Sequence, residues 1–303
     1  MRKLIPIALA ALLALAACSP SASSSGSSAS TPAAGTTDRT WDVSGVKKVD
    51  EIAALLPDAV KTKGKLTIGA STDYAPAEFL ADDLKTAIGY DVDMGKALGK
   101  VLGVDTEVVN AEFASILPAI GSKYDLGISS FTITAERLTA ANMVSYISVG
   151  SSFAVAKGNP KGVDPNNLCG KSIGVQTGTW QHDEAGEFSK KCVADGKPAI
   201  DVKPYAKQSD VTTNLVGGNL DAMYADSTVT QYAVTLTSGA LEEIGERDSA
   251  PQGIVVAKGD TQLTEAIQKA MQHLMDDGTW GKIAANWGIE KAILTKAEIN
   301  PKP

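Results

Sequence analysis

Residues 65–71, KLTIGAS, followed by residues 89–109, GYDVDMGKALGKVLGVDTEVV, decide the fold. The first stretch is a short β-rich run. In the second, Val92, Met94, Ala97, Leu98, Val101 and Leu102 recur at helical spacing, Gly103 marks the stop, and Thr106 to Val109 is again β-branched. Phe113 to Ile120 is helical in period, and Leu126 to Ser130 reads as a buried strand ending in polar residues. Such a βαβαβ run implies a mainly parallel sheet covered by helices. The pattern restarts after Gly150, with strands expected over 151–156, 172–176, 200–203 and 221–224 and helices over 179–191 and 209–216. Gly253 to Ala257 reads as a strand and Leu263 to Met275 as an amphipathic helix, with Ile267, Met271 and Leu274 on one face. If this last portion returns to the first unit, the chain crosses twice and makes a hinge. We expect an α/β protein whose first lobe is 62–149 with 251–290, whose second is 150–250, and whose tail is 291–303. Open sheets hold ligands beyond the carboxyl ends of their strands, so two facing sheets place a ligand in the cleft between lobes.

The N-terminus reads as an address. Arg2 and Lys3 precede an apolar run from Leu4 to Leu15, which at about twelve residues is too short to span a bilayer and fits an export signal of residues 1–17. The run ends in Leu15-Ala16-Ala17-Cys18, which resembles a bacterial lipobox, in which Cys18 would carry acyl chains at the new N-terminus. An ordinary cleavage site with a chance cysteine is the alternative. From Ser19 to Thr37 every residue is Ser, Thr, Ala, Gly or Pro, so residues 18–40 are read as the lipidated cysteine and a flexible tether. A coil of that length spans about 24 Å root-mean-square.

The 303 residues carry a net charge of −7, which offers no footprint for nucleic-acid phosphates. With His182 and His273 as the two histidines, a histidine-rich metal centre cannot be built, and acid–base chemistry would fall to carboxylates. Once Cys18 is assigned to lipid, Cys169 and Cys192 remain as an even pair, expected to close a disulfide after export. No Cys-x-x-Cys, G-x-S-x-G, Walker-type loop, H-E-x-x-H or G-x-G-x-x-G after a strand is present, so common catalytic sets are missing. What stands out is Ser129 to Arg137, SSFTITAER, where hydroxyls leave a buried strand and end in an arginine.

Ordered motifs then carry a resemblance. They are Asp73 to Phe79 (DYAPAEF), Gly89 to Asp93 (GYDVD), Ile116 to Ile120 (ILPAI), Lys123 to Asp125 (KYD), Ser129 to Arg137, Val175 to Thr179 (VQTGT), and Leu220 to Ala222 with Asp226. Over residues 64–290 the chain resembles the bacterial solute-binding proteins of ABC importers, family 3, the polar-amino-acid branch. The resemblance implies a two-lobed, periplasmic-binding-protein-like (type II) fold, each lobe a mainly parallel sheet with flanking helices. It implies that Arg137 grips a ligand α-carboxylate through parallel charge-assisted bonds, with Ser130 and Thr132 contacting the ligand head. Gly178 and Thr179 would turn helix N-terminal N–H groups toward the carboxylate, and Asp226 would receive the α-ammonium from the second lobe. Tyr74 and Phe113 would form aromatic walls, while Glu78, Asp73 and Gln176 would read the side chain. Trp280 and Trp287 match the C-terminal helix pair packed on the first lobe.

Plain structural readings of the same residues stay open. Arg137 could pair with Glu136, Asp226 could cap the following helix, Gly178 and Thr179 could form an ordinary strand–helix turn, and Tyr74 and Phe113 could be core. The chain also departs from the family pattern at Trp180, Ala77 and Ser71, where the family carries Thr or Ser, Phe, and Asp. The implied protein is an exported, lipid-anchored monomer at the outer face of the cytoplasmic membrane. It captures a polar amino acid, a cationic one being among the options, delivers it to ABC permease subunits, and needs no cofactor or metal. The rival is an enzyme on the same fold, resembling cyclohexadienyl dehydratase, with Glu78 or Asp226 as acid or base; turnover and a carboxylate of raised pKa would mark it.

Overall fold

The computed structural model describes residues 39–247 and 249–303. The export signal, Cys18 and nearly all of the tether lie outside the described residues.

The first lobe holds a five-stranded sheet ordered Asp105–Asn110, Lys65–Ala70, Leu126–Gly127, Ala250–Ala257, Ala141–Val149. The second repeats the plan with Asp201–Tyr205, Ser172–Gln176, Ala222–Asp226, Ser151–Ala156, Leu241–Ile244. Each sheet is mixed, with two parallel and two antiparallel pairings, which corrects the expectation of mainly parallel sheets. The reason is the hinge. Strands whose carboxyl ends meet the cleft run toward it, while Ser151–Ala156 and Ala250–Ala257 enter their lobes from the hinge side and must run away. Each reversed strand is antiparallel to both of its neighbours.

The two crossings lie side by side. Arg247 N donates to Ser151 O (2.7 Å) and Ser227 N to Gly150 O (2.8 Å). A Cβ on Gly150 would sit 2.7 Å from Arg247 O, so this close approach of backbones admits only glycine without a shift.

Helix Tyr90–Leu102 covers the first sheet and ends at Gly103 in the left-handed region, φ 68°. It begins at Gly89, whose φ of 130° is open to glycine and whose added Cβ would lie 2.1 Å from Ala77 O. Gly89→Ala is expected to destabilise the protein by about 2–4 kcal/mol, because backbone must move on both sides of the contact. A urea melt showing a change under about 0.5 kcal/mol would contradict this account. Helices Thr261–Asp276 and Thr279–Trp287 complete the first lobe. Their tryptophans are buried and bonded: Trp280 Nε1 donates to Tyr146 O (3.0 Å) and Trp287 Nε1 to Asp93 Oδ2 (2.8 Å).

The first lobe recruits chain on both flanks. Trp41 N donates to Asp93 Oδ2 (2.8 Å), and Val43, Val46, Val49 and Ile52 pack on the first core. Residues 291–303 are more than a tail, since Ile293 and Ile299 bridge Ile147 and Val144 of the edge strand Ala141–Val149. That covers one row of otherwise unpaired edge groups.

Several features escape the sequence reading. Strand Ala141–Val149, strand Leu241–Ile244, the short helices Asp50–Ala53, Asp58–Lys63 and Ala135–Ala140, and the small sheet of Asp73–Tyr74, Glu78–Leu80 and Ala87–Ile88 are all additions. The strand expected over Leu126 to Ser130 shortens to Leu126–Gly127, and Ser130 adopts φ 50°.

Cys169 and Cys192 form a disulfide, Cα–Cα 5.6 Å, tying the approach to strand Ser172–Gln176 to helix Trp180–Ala194. Closing a loop of this length is worth about 3 kcal/mol in the chain-entropy model. The Cys169→Ala/Cys192→Ala protein should lose about that much in a denaturant melt, and an unchanged midpoint would refute the figure.

Candidate functional site

The strands Lys65–Ala70, Leu126–Gly127, Ser172–Gln176 and Ala222–Asp226 end at one cleft, and the residues that follow or close them build its walls. A narrow pocket lies there, with Tyr74, Phe113, Ser130, Thr132 and Arg137 on one side and Gln176, Thr179 and Asp226 on the other. Those expected residues are brought together from both lobes. Ser129, Trp180 and Gln181 also line it.

The loop from Ser129 to Thr134 is pinned from behind. Gly253 N donates to Phe131 O (2.9 Å) and Ile133 N to Pro251 O (2.8 Å). Ser130 N donates to Asp91 Oδ2 (2.8 Å), and Tyr146 OH donates to Asp91 Oδ1 (2.7 Å), so a buried carboxylate holds Ser130 in its left-handed conformation. Asp91 is raised to about 6 by burial, against the hydrogen bonds of Tyr146, Ser130 and Glu78. Glu78 is fully buried and accepts from Ser129 Oγ. Burial, then the nearby Asp91 charge, pushes it well above the usual carboxyl range. Glu78 supports the floor from beneath, and it lies off the cavity wall.

Thr134 caps the short helix Ala135–Ala140 by accepting from Arg137 N (3.1 Å), which fixes where the arginine starts. Its Nη1 donates to Thr132 O (2.7 Å) and its Nη2 to Gly178 O in the other lobe (3.0 Å). The guanidinium lies 5.6 Å and 5.7 Å from the ring centres of Phe113 and Phe131, themselves stacked at 4.5 Å. No ion pair to Glu136 is made within 4.0 Å among the described residues. Burial lowers the Arg137 pKa, opposed by the charges of Asp183, Asp226 and Glu136. Two of its five N–H donors are committed, which leaves donors for a planar anion.

Asp226 closes the opposite wall. Gln181 Nε2 donates to its Oδ1 and Gln252 Nε2 to its Oδ2, both at 2.7 Å, while its own N donates to Tyr74 OH (3.2 Å). It stands at the N-cap of helix Ser227–Leu236, yet its side chain makes no cap bond. Burial raises it to about 6, opposed by the bonds from Gln252, Gln181 and Tyr74 and by the Arg137 charge.

Among the expected residues, Gly178, Glu78 and Asp73 do not line the cavity. Gly178 N donates to His182 Nδ1 (3.3 Å) rather than facing the cavity, and Gly178 meets the first lobe through its carbonyl. Gln176 Nε2 donates to Ser71 Oγ (3.0 Å) and Asp73 Oδ1 (3.3 Å), so it spans the lobes while lining the cavity. Thr179 caps helix Trp180–Ala194, accepting from His182 N (3.2 Å). Gln181 and Gln252 were illegible in the sequence: single glutamines on a helix and a strand carry no pattern.

The sequence model of the bacterial extracellular solute-binding proteins, family 3, matches residues 66–290. The chain belongs to this family. Among family 3 relatives, the arginine-binding protein of Corynebacterium glutamicum is 33% identical over 266 residues, 87% of each chain. The lysine/arginine/ornithine-binding periplasmic protein of Escherichia coli (strain K12) is 30% identical over 251 residues, 77% of this chain and 89% of that one. An ancestral arginine-binding protein solved with arginine superposes with TM-score 0.68 at 32% identity, covering 74% of this chain and 98% of that one.

Proposed function

We propose that the protein captures an amino acid with a cationic side chain between its lobes and delivers it to an ABC permease. The observation that carries this reading is a guanidinium and a carboxylate, Arg137 and Asp226, reaching one cavity from opposite lobes. They suit the two poles of an α-amino acid. Asp73 and Asp91 stand behind the walls, and their carboxylates, when ionised, favour a third, positive group. The names of the relatives, arginine-binding and lysine/arginine/ornithine-binding, point the same way.

In this reading residues 62–149 with 251–290 and residues 150–250 are the two moving units, and Ser130, Thr132, Thr179, Gln176, Tyr74 and Phe113 enclose the solute. Acylation of Cys18 would tether a monomeric body outside the cytoplasmic membrane. No helix of the described residues is long and apolar enough to cross a membrane. Catalysis is disfavoured: the carboxyls are raised, but Glu78 is off the wall and Asp226 is held by two amides, an arrangement that fixes a charge rather than moves a proton.

Thermal-shift and calorimetric titration with the twenty amino acids tests this. Arginine, lysine and ornithine should raise the melting temperature most, since ligands of the native state stabilise by mass action. A flat response across the panel would overturn the reading.

A further inference from the structure

Helix Gln208–Val216 of the second lobe begins without a cap of its own, because the preceding Lys207 offers no side-chain cap bond. Its first N–H is satisfied from the other lobe: Gln208 N donates to Asp73 Oδ1 at 3.3 Å. The same oxygen accepts from Gln176 Nε2 (3.3 Å), a second contact across the cleft, and from Ser71 Oγ (3.5 Å) within its own lobe. The next residue repeats the move, since Tyr74 OH accepts from Asp226 N at the start of helix Ser227–Leu236. The dipeptide Asp73-Tyr74 thus meets the N-termini of two second-lobe helices, where an acceptor, and above all an anion, is favoured. Asp73 does not line the cavity.

We propose that Asp73 is a positioning residue, a latch that caps helix Gln208–Val216 only when the lobes meet and so strengthens the binding of every ligand alike. This replaces the expectation that Asp73 reads the ligand side chain. Opening the lobes breaks its bonds to Gln208 and Gln176 together and returns those N–H groups to water. Apparent affinity scales with the fraction of protein in the binding-competent form, so a lost latch raises all dissociation constants by one common factor. Loss of a typical helix cap sets that factor at about fivefold.

The proposal rests on the amino-acid reading of the cleft, and its test has one arm that needs no ligand. Spin labels at Lys100→Cys and Leu236→Cys, exposed positions in the two lobes, report the interlobe distance without added amino acid. Calorimetry with arginine, lysine and glutamine reports affinity. Asp73→Ala should move the distance distribution outward and weaken all three amino acids by about the same fivefold, whereas Asp73→Asn, which keeps an acceptor oxygen, should change them less than about twofold. Gln208→Pro removes the donor at the first helical position, where proline is tolerated, and should reproduce Asp73→Ala. Adding Asp73→Ala to it should weaken binding little further. Unchanged distances in both Asp73→Ala and Gln208→Pro, or a loss confined to arginine and lysine, would overturn the latch. If the wild-type protein binds none of the three amino acids, the functional reading fails and the distances alone decide the latch.

Discussion

Arg137→Ala is expected to lose 2–5 kcal/mol of amino-acid affinity, roughly thirtyfold to several thousandfold in dissociation constant. The wild-type guanidinium is buried, gives one N–H to Thr132 O and one to Gly178 O, and keeps the rest for a carboxylate in a site where water screens poorly. Alanine removes the charge and the bond across the lobes at once. Arg137→Lys should lose nearly as much, because one ammonium cannot serve two carbonyls and a bidentate anion together. Calorimetry on both variants checks this, and wild-type affinity in either would remove Arg137 from the site.

Asp226 predicts two pH dependences of opposite sign. Its carboxyl must be ionised to hold an ammonium, so affinity for amino acids should weaken as pH falls through about 6. Stability of the protein without ligand should run the other way. The folded value, about 6, lies above the usual 3.8, so the folded state binds more protons than the unfolded chain between those values. That contribution is fully present below about 4 and is lost as pH rises through 6. Its full span is about 3 kcal/mol from Asp226, and Asp91, raised to about 6 by burial, acts in the same direction. Denaturant melts from pH 4 to 7 read stability while calorimetry reads affinity. Asp226→Asn should flatten the affinity profile and lower neutral-pH affinity by about 2–4 kcal/mol. A profile in Asp226→Asn parallel to wild type would assign the titration elsewhere.

Much of the fold was readable because its signals are local. Helix Tyr90–Leu102 shows its period and its glycine stop, and strands Lys65–Ala70 and Ser172–Gln176 show β-branched runs. Strand Ala141–Val149 was not readable, since Asn142 and Ser145 interrupt its apolar run. Both are buried there because distant chain satisfies them: the Asn142 amide donates to Lys258 O and Thr264 Oγ1 and accepts from Asn300 Nδ2, and Ser145 Oγ accepts from Glu298 N. The site divides the same way. Arg137 and Asp226 were visible through motif order, whereas Glu78 and Asp73 were expected in contact with ligand and take up supporting and bridging places.

The sequence by itself determined the α/β alternation, the two-lobed family plan and the even cysteine pair, because each depends on residue type and the order of short motifs. Tertiary structure alone decided which strands run backward, how the flanks close the first lobe, and which partners hold the charges. Gln181 and Gln252 lie 45 and 26 residues from Asp226 along the chain, and only the meeting of two lobes brings both amides to one carboxylate. Local periodicity fixes what each segment is. Burial and hydrogen-bond satisfaction across the hinge fix what each side chain faces.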